Sequence, residues 1–461
     1  MNFPDFLRPH PLPRRVVKTF TFFFAVQERA KPLFYATFFL FLGECVYCTV
    51  FNLYLAGTLH LEYSTITFIF ALSMLAAGVL SLPLGYMCDH IGRRFVLFVG
   101  FYFWVAGLVG QAMFPSLPLL YFFSMVHGVG LAAVWTAFAP MIADLTPPRE
   151  HVQAFTANFL MMFLGSVAGN LTGGVVPYLS KMLFADSVDP YRFTMYFACF
   201  LLFPAHRFFS MLPEEHFSAS SFRILKPGAL ERRRRLYITI ELFLPYMLTG
   251  VAIGLTLPFI NIFLRGVFDL TDQNIGFSLA AVTAMEGFFI VLVPYLAATV
   301  GRIALVSVAL LAAVPFLVVV SHTSNSTLSI LFLVMGAGLA QMSLPLQLSF
   351  AMRQYPSLMR GIVSAEMASV WYIANAAGAL MSTGFVSNEL SLTGRSYLPA
   401  AVLCGLGGVL YWLFWRKRNV VQRQTRDRIA EHFAFSHGPS SRFFPVDGAR
   451  EDREDGRNGQ N

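Results

Sequence analysis

Long apolar runs follow one another along most of this chain, and they limit its possible folds more than any other feature. A helix needs about 20 apolar residues to cross roughly 30 Å of hydrocarbon. Only 13% of the residues are charged, against roughly a quarter in an average soluble domain. The runs predict an all-α membrane protein with twelve transmembrane helices. They lie near residues 33–56, 65–86, 95–114, 117–143, 154–179, 193–212, 237–264, 274–297, 303–321, 327–351, 361–386 and 397–415.

Basic residues are distributed unevenly between the loops. If both termini are cytoplasmic, all but four of the 33 lysines and arginines fall in cytoplasmic segments. Such a bias predicts an even number of spans, cytoplasmic termini and a multi-pass protein of the cell membrane. It also accounts for the net charge of +8, so we expect the lipid bilayer and no nucleic acid as a partner. The external loops hold Lys181, Arg192, Arg265 and Arg395.

The two halves of the chain resemble each other at a fixed shift of 209 residues. Asn52-Leu-Tyr-Leu55 falls on Asn261-Ile-Phe-Leu264, and Gly92-Arg93 falls on Gly301-Arg302, without a gap. Similarity in the same orientation indicates two pseudo-symmetric six-helix bundles with a site between them. The predicted segments are a cytoplasmic basic amino tail (1–32), an N-terminal bundle (33–213), a cytoplasmic central loop (214–236), a C-terminal bundle (237–416) and a cytoplasmic tail predicted to be disordered (417–461).

The loop between the second and third spans carries a recognisable motif. Gly85, Asp89, Gly92, Arg93 and Arg94 stand at the spacing of a loop motif of the major facilitator superfamily, which this chain resembles from about residue 33 to 415. The resemblance implies a monomeric secondary transporter that works by alternating access. It also implies that Asp89 and Arg93 latch the two bundles together on the cytoplasmic face when the site is open outward. The alternative for this loop is a solvated turn that obeys the positive-inside rule.

Small residues recur in the fifth span. Gly165, Gly169, Asn170, Gly173 and Gly174 resemble the fifth-helix motif of drug and proton antiporters in the same superfamily, with asparagine where that motif has proline. The resemblance implies exchange in the export direction. Small residues four apart also allow two helices to pack closely whatever the substrate, so a tight helix interface is the alternative.

Ionisable residues inside predicted spans mark pathways, because a charge at the bilayer centre is costly unless it is solvated or paired. Glu44 lies halfway along the first span and Glu286 halfway along the eighth. We expect Glu44 to exchange a proton or to pair with a cationic substrate, with Glu286 as a second carrier. A permanently protonated carboxyl that ties helices together is the alternative. Further candidates for the cavity are Asn52, His127, Gln341 and Asn375.

No sequence motif indicates an enzyme, a cofactor or ATP-driven transport. Cys45 and Cys48 could be read as a metal or redox pair, but both lie inside the first span with no histidine beside them, so we expect no metal. We predict proton-coupled export of a hydrophobic or cationic small molecule, with a small-molecule substrate and H⁺ as partners. The alternatives are a lipid or lysolipid transporter, an importer of a small metabolite, or a non-transporting sensor with a transporter-like body.

Overall fold

A computed structural model describes residues 28–147, 151–184, 187–213, 229–354, 360–385 and 394–415. The predicted tails and most of the central loop lie outside the described residues, and the boundaries of the five predicted segments stay a prediction. Within these ranges the chain is helical and contains no strand. The helices of the first half are α1 Lys31–Gly57, α2 Tyr63–His90, α3 Arg93–Met113, α4 Leu117–Leu145, α5 His151–Phe184 and α6 Pro190–Ser210. Those of the second half are α7 Ala229–Gly254, α8 Ile260–Phe268, α9 Asp272–Thr299, α10 Arg302–His322, α11 Ser326–Gln354, α12 Arg360–Ser382 and α13 Tyr397–Trp415.

Ten segments of the described chain are long and apolar enough to cross a membrane, by length and composition. The predicted sixth and eleventh spans also fold as helices, α6 and α12, but they are not among the ten. Both helices carry more polar side chains, such as Arg207 in α6 and Glu366 in α12. The all-helical membrane architecture is confirmed, and the full count of twelve spans stays a prediction.

The seventh span is interrupted, which the run of apolar residues does not predict. Its first part, α7, ends at Gly254, and a 3₁₀ helix at Leu257–Phe259 precedes α8. Pro258 explains the break, because its ring lacks an N–H and would clash with the carbonyl of Gly254, four residues earlier. The break frees backbone groups in the middle of the protein for contacts with other helices.

Helices from both halves pack together within one compact unit that ends at Trp412. In the first half α1 packs against α5 and α6, and α3 packs against α4. In the second half α7 packs against α12, and α10 packs against α11. Contacts between the halves join α2 to α12, α5 to α9 and α1 to α8. Below, the outer end of the bundle is the one that carries Gly57, and the inner end is the one that carries Arg93.

The repeat is visible in two equivalent turns at the inner end. Gly92 precedes α3 with φ 123°, and Gly301 precedes α10 with φ 91°. Side chains other than hydrogen rarely tolerate such positive φ values. The two residues are related by the repeat shift, so both halves use the same glycine turn between their second and third spans.

The small residues of the fifth span lie at two helix contacts. Gly165, Gly169 and Gly173 face α1, and a Cβ atom on Gly169 would lie 2.5 Å from the carbonyl oxygen of Leu42. Gly174 faces the other half, where a Cβ atom on it would lie 2.9 Å from Cα of Gly276 in α9. The motif therefore lies where α5 contacts one helix of its own half and one of the opposite half.

We expect Gly169→Ala to lower the free energy of unfolding by about 1–3 kcal/mol, the usual cost of overpacking a filled interface. Alanine has the higher helix propensity, by about 1 kcal/mol, so any loss reports the clash with α1. Thermal unfolding of the detergent-purified protein measures it. Gly384→Ala is the matched control, because no atom of the described residues lies within 4 Å of a Cβ at Gly384. Equal stability of both variants would show that α1 moves aside freely.

Candidate functional site

Glu44 lies at the midpoint of α1 and points into the first half, where its side chain is 12% exposed. The indole nitrogen Nε1 of Trp104 in α3 donates a hydrogen bond to Oε2 at 2.7 Å. The thiol of Cys48, one turn along α1, donates to Oε1 at 3.3 Å. Nε2 of His127 in α4 lies 3.5 Å from the same oxygen. The carboxyl group is therefore buried with partners on three helices.

His127 connects this carboxyl group to a fourth helix. Its second ring nitrogen, Nδ1, lies 3.1 Å from the hydroxyl oxygen of Ser73 in α2. A chain of polar contacts thus runs from Ser73 through His127 and Glu44 to Trp104. Pairing with imidazole reduces the cost of burying a carboxylate, and a carboxyl–imidazole pair can take up or release a proton. We name Glu44 and His127 the first-half acid pair.

Sequence reasoning selected Glu44 and His127 separately and did not predict that they meet. It missed Ser73 and Trp104. These four residues come from four different helices, so no spacing along the chain could have associated them. A tryptophan in an apolar run is more often a core or lipid-facing residue than a hydrogen-bond donor, and nothing else in the sequence marks Trp104.

Ser124 lies in α4, one turn before His127. It is buried, and its hydroxyl accepts a hydrogen bond from Nε2 of Gln111 at 2.8 Å. The hydroxyl of Tyr47 donates to Oε1 of Gln111 at 3.1 Å. A network of neutral side chains therefore lies beside the first-half acid pair.

Glu286 lies near the midpoint of α9 and is 8% exposed. The side-chain amide of Gln341 in α11 faces the Glu286 carboxyl group. Oε1 of Gln341 is buried and has no hydrogen-bond partner in the described part of the chain. Within the described part of the chain no lysine, arginine or histidine forms an ion pair with Glu286. We name Glu286 and Gln341 the second-half acid site.

Both carboxyl groups approach the same stretch of α1. The thiol of Cys45 lies within electrostatic range of Glu44 and of Glu286. Cys48 is exposed although it lies midway along α1, and all five cysteines are free. In the described residues no group of histidine, cysteine and acidic side chains could hold a metal ion. Both acid sites therefore lie close to Cys45 of α1.

Asn52 lies away from the acids, in a contact between the halves. Its Nδ2 donates to the carbonyl oxygen of Pro258 at 2.7 Å and to Oδ1 of Asn261 at 3.3 Å. Nδ2 of Asn261 in turn donates to the carbonyl oxygens of Thr49 at 3.0 Å and Cys48 at 3.2 Å. The two asparagines are 209 residues apart, which is the repeat shift. We call them the asparagine clasp.

Two further polar contacts join the halves at the outer end. The hydroxyl groups of Tyr63 in α2 and Ser382 in α12 lie 2.9 Å apart, and both are buried. The hydroxyl of Tyr191 in α6 donates to Oδ1 of Asp272 in α9 at 3.0 Å, and Arg265 forms an ion pair with the same carboxylate. Together with the asparagine clasp, these contacts join the two halves at three places.

At the inner end, the arginines of the loop motif bond within their own half. Arg93 forms an ion pair with Asp144 of α4 and donates to the carbonyl oxygen of Pro140 at 3.0 Å. Arg94 donates to the carbonyl oxygen of Ser210 at 3.1 Å. These bonds tie α3 to α4 and α6.

Gly85 and Asp89 of the loop motif lie near the inner end of α2. Gly85 lies against α12, where a Cβ atom on it would lie 3.1 Å from Cβ of Ala365. The Asp89 side chain is outside the described residues. The latch between the two halves therefore stays a prediction.

Asn170 and Asn375 occupy helix contacts. Oδ1 of Asn170 accepts from the hydroxyl of Thr49 at 3.0 Å, and its Nδ2 donates to the hydroxyl of Thr283 in α9 at 3.0 Å. Asn170 thus links α1, α5 and α9. Asn375 is buried, and its Nδ2 donates to the carbonyl oxygen of Trp371 on its own helix at 2.9 Å. A Cβ atom on Gly254 would touch the Asn375 backbone, so this residue lies at the contact of α7 with α12.

Comparison with known proteins identifies the fold. A family model described as Major Facilitator Superfamily matches residues 33–379. A bacterial homologue of the human lysosomal transporter Spinster, in an inward-facing and occupied conformation, has a TM-score of 0.68 at 16% identity, covering 84% of this chain and 96% of that one. A D-xylose–proton symporter has a TM-score of 0.67 at 16% identity, covering 84% and 97%. At this level of identity the likeness concerns the fold.

One curated protein resembles part of the sequence. The MFS antiporter QDR3 of Candida albicans is 29% identical over 122 residues, which is 26% of this chain and 18% of that protein's length. The family match covers most of the described helices, and the similar structures are membrane transporters. The chain belongs to the Major Facilitator Superfamily and is a multi-pass membrane protein.

Proposed function

We propose that this protein is a proton-coupled secondary transporter that exports hydrophobic or cationic small molecules across the cell membrane by alternating access. One observation carries the proposal. Each half contributes a carboxyl group, Glu44 or Glu286, buried near the midpoint of its helix and directed to the inside of the protein. Because burying a charge in the membrane is costly, such groups are retained where a proton or a cation must pass.

Protonation of these groups changes which partners they require. A charged Glu44 is stabilised by the imidazole of His127, whereas a neutral carboxyl needs no charged partner. A ligand or proton can shift a conformational equilibrium only by as much as it binds one state better than the other. The first-half acid pair binds a proton more tightly in one state than in the other if its packing changes as the halves move.

The contacts at the two ends support a state that is closed outside. The asparagine clasp, the Tyr63–Ser382 pair and the Tyr191–Asp272 pair join the outer ends, whereas Arg93 and Arg94 bond inside their own half. The latch of Asp89 and Arg93 belongs to the opposite state, in which the cytoplasmic face is shut. This sidedness rests on the predicted cytoplasmic position of both termini.

Export is supported by two sequence relations. The small residues of the fifth span follow the antiporter motif, and the Candida relative over 122 residues carries the name antiporter. The D-xylose–proton symporter has the same fold, so direction is decided by flux and not by architecture.

Flux in proteoliposomes tests the proposal. We expect vesicles that contain the purified protein and rhodamine 6G, a hydrophobic cation with N–H groups, to release the dye faster when the external medium is acidified. Electroneutral or electrogenic exchange with protons makes release dependent on the gradient, so a protonophore should return it to the rate of protein-free vesicles. A rate of dye release that does not depend on the proton gradient would contradict proton coupling. Dye uptake in place of dye release after external acidification would contradict export.

A further inference from the structure

The second-half acid site has more hydrogen-bond acceptors than donors. A carboxylate offers two acceptor oxygens and a glutamine amide offers one, whereas the amide NH₂ supplies the only N–H donors of the pair. Gln341 faces Glu286, and its own Oε1 is buried without a partner among the described residues. Buried acceptors without donors are rare in folded proteins because desolvation is then uncompensated. When Glu286 is ionised the site therefore lacks a donor, which either a proton on the carboxyl group or a donor on a ligand would supply.

The first-half acid pair shows the opposite balance. Glu44 receives the N–H of Trp104 and the S–H of Cys48, and it faces the imidazole of His127. Its requirement for donors is met by the protein itself. Glu286 faces only the Gln341 amide and forms no ion pair within the described residues, so the two acids are not equivalent, and Glu286 is suited to hold a ligand.

The surroundings of Glu286 limit what the missing group can be. Around it lie the thiol of Cys45 from α1 and the amide of Gln341 from α11. Phe163 of α5 packs against the adjacent Gly287. One turn before Gln341, Met285 and Phe289 of α9 pack against Gly338. The neighbouring groups are apolar or neutral, so the complementary ligand carries the positive charge and the N–H donors on an apolar body.

We propose that Glu286 and Gln341 bind the nitrogen of a substrate that carries a protonated amine with at least one N–H group. This inference rests on the proposed transport function and names its substrate class. The ammonium charge pairs with the Glu286 carboxylate, and an N–H group donates to Oε1 of Gln341. A protonated Glu286 loses its proton to the medium when the ammonium binds, so the proton and the substrate exclude each other at one site.

Two probes of matched shape separate hydrogen bonding from charge. Isothermal titration of the purified full-length protein uses 2-phenylethylammonium and N,N,N-trimethyl-2-phenylethylammonium, which has the same charge and no N–H group. We expect the first probe to bind about tenfold to a hundredfold more tightly, the range for one hydrogen bond to a charged group. Binding should also release protons, measured as a dependence of the heat on the buffer.

Variants assign the two roles. Gln341→Met should weaken the first probe by about tenfold to a hundredfold and leave the second unchanged, whereas Glu286→Gln should abolish binding of both. Gln347→Met is the matched control on the same helix, since Gln347 bonds to Ser343, and should bind like wild type. Equal affinity of wild type for the two probes, or no binding of the first, would overturn the proposal without any variant.

Dye flux and amine binding can fail independently, so the two experiments test the proposed function and the amine site separately. Proton-driven dye release together with no binding of 2-phenylethylammonium would overturn the amine site and leave proton-coupled export in place. Tight, Gln341-dependent binding of 2-phenylethylammonium without gradient-driven flux would overturn proton-coupled export and leave the amine site in place.

Discussion

Glu44→Gln is expected to reduce gradient-driven dye flux by at least about a hundredfold, the lower range for removing a group that must transfer a proton. Glutamine cannot titrate, so the first-half acid pair can no longer exchange a proton as the halves move. The amide oxygen can still accept the Trp104 N–H, whose bond to Glu44 is 2.7 Å long. The protein should therefore fold normally and lose transport.

Three measurements interpret this variant. Thermal unfolding establishes that Glu44→Gln is folded, dye release from proteoliposomes gives the flux, and the pH dependence of residual flux should disappear. Glu62→Gln is the matched control, because the same change is made at an exposed residue before α2. Full flux with unchanged pH dependence in Glu44→Gln would mean that this acid is a structural carboxyl that ties helices together.

Breaking the asparagine clasp is expected to open the outer end. In the double variant Asn52→Ala and Asn261→Ala, the four hydrogen bonds that the two amide groups donate are lost. A hydrogen bond contributes about 0.5–1.5 kcal/mol net. A loss of about 2 kcal/mol would change the ratio of outward-open to outward-closed protein by a factor of about 30.

Spin-label distances detect this shift. Labels at Thr58 and Val267 are suitable, because both residues are exposed at the outer end and are related by the repeat. Cys48, an exposed native cysteine, is replaced by serine, whose hydroxyl can donate to Glu44 in place of the thiol. Asn274→Ala, at an exposed asparagine of α9, is the control and should leave the distance unchanged. An unaltered distance in the double variant would mean that the clasp does not hold the outer end shut.

Much of the architecture follows from patterns that persist along the sequence. Apolar runs predict the helices, and the shift of 209 residues correctly pairs Gly92 with Gly301, which adopt the same unusual turn. The same shift aligns Asn52 with Asn261, but it does not reveal that they touch. Contact between repeat-equivalent residues requires both to face the pseudo-symmetry axis, and the sequence does not give the rotation of each helix about its own axis.

The local chemistry of the site was less predictable. Burial cost selected Glu44 and Glu286 because any acid in mid-membrane needs an explanation. Their different partners depend on which side chains four or more helices bring together. The place of Asn52 on the Glu44 face of α1 predicts a cavity residue, whereas the structure places its side chain in the clasp, nearer the outer end. Pro258 is a local signal for the break in the seventh span. The apolar residues around this proline nevertheless predict an uninterrupted span.

Two distances recorded on the same protein test alternating access around the buried acids most directly. Labels at Thr58 and Val267 report the outer end, and labels at Ile91 and Val300, which are exposed and repeat-related, report the inner end. On going from alkaline to acidic buffer, we predict that the two distances change in opposite directions, and that the change disappears when Glu44 and Glu286 are both replaced by glutamine. Three results would contradict alternating access around the buried acids: distances that stay fixed, distances that change in the same direction, or a pH response that persists when both acids are replaced.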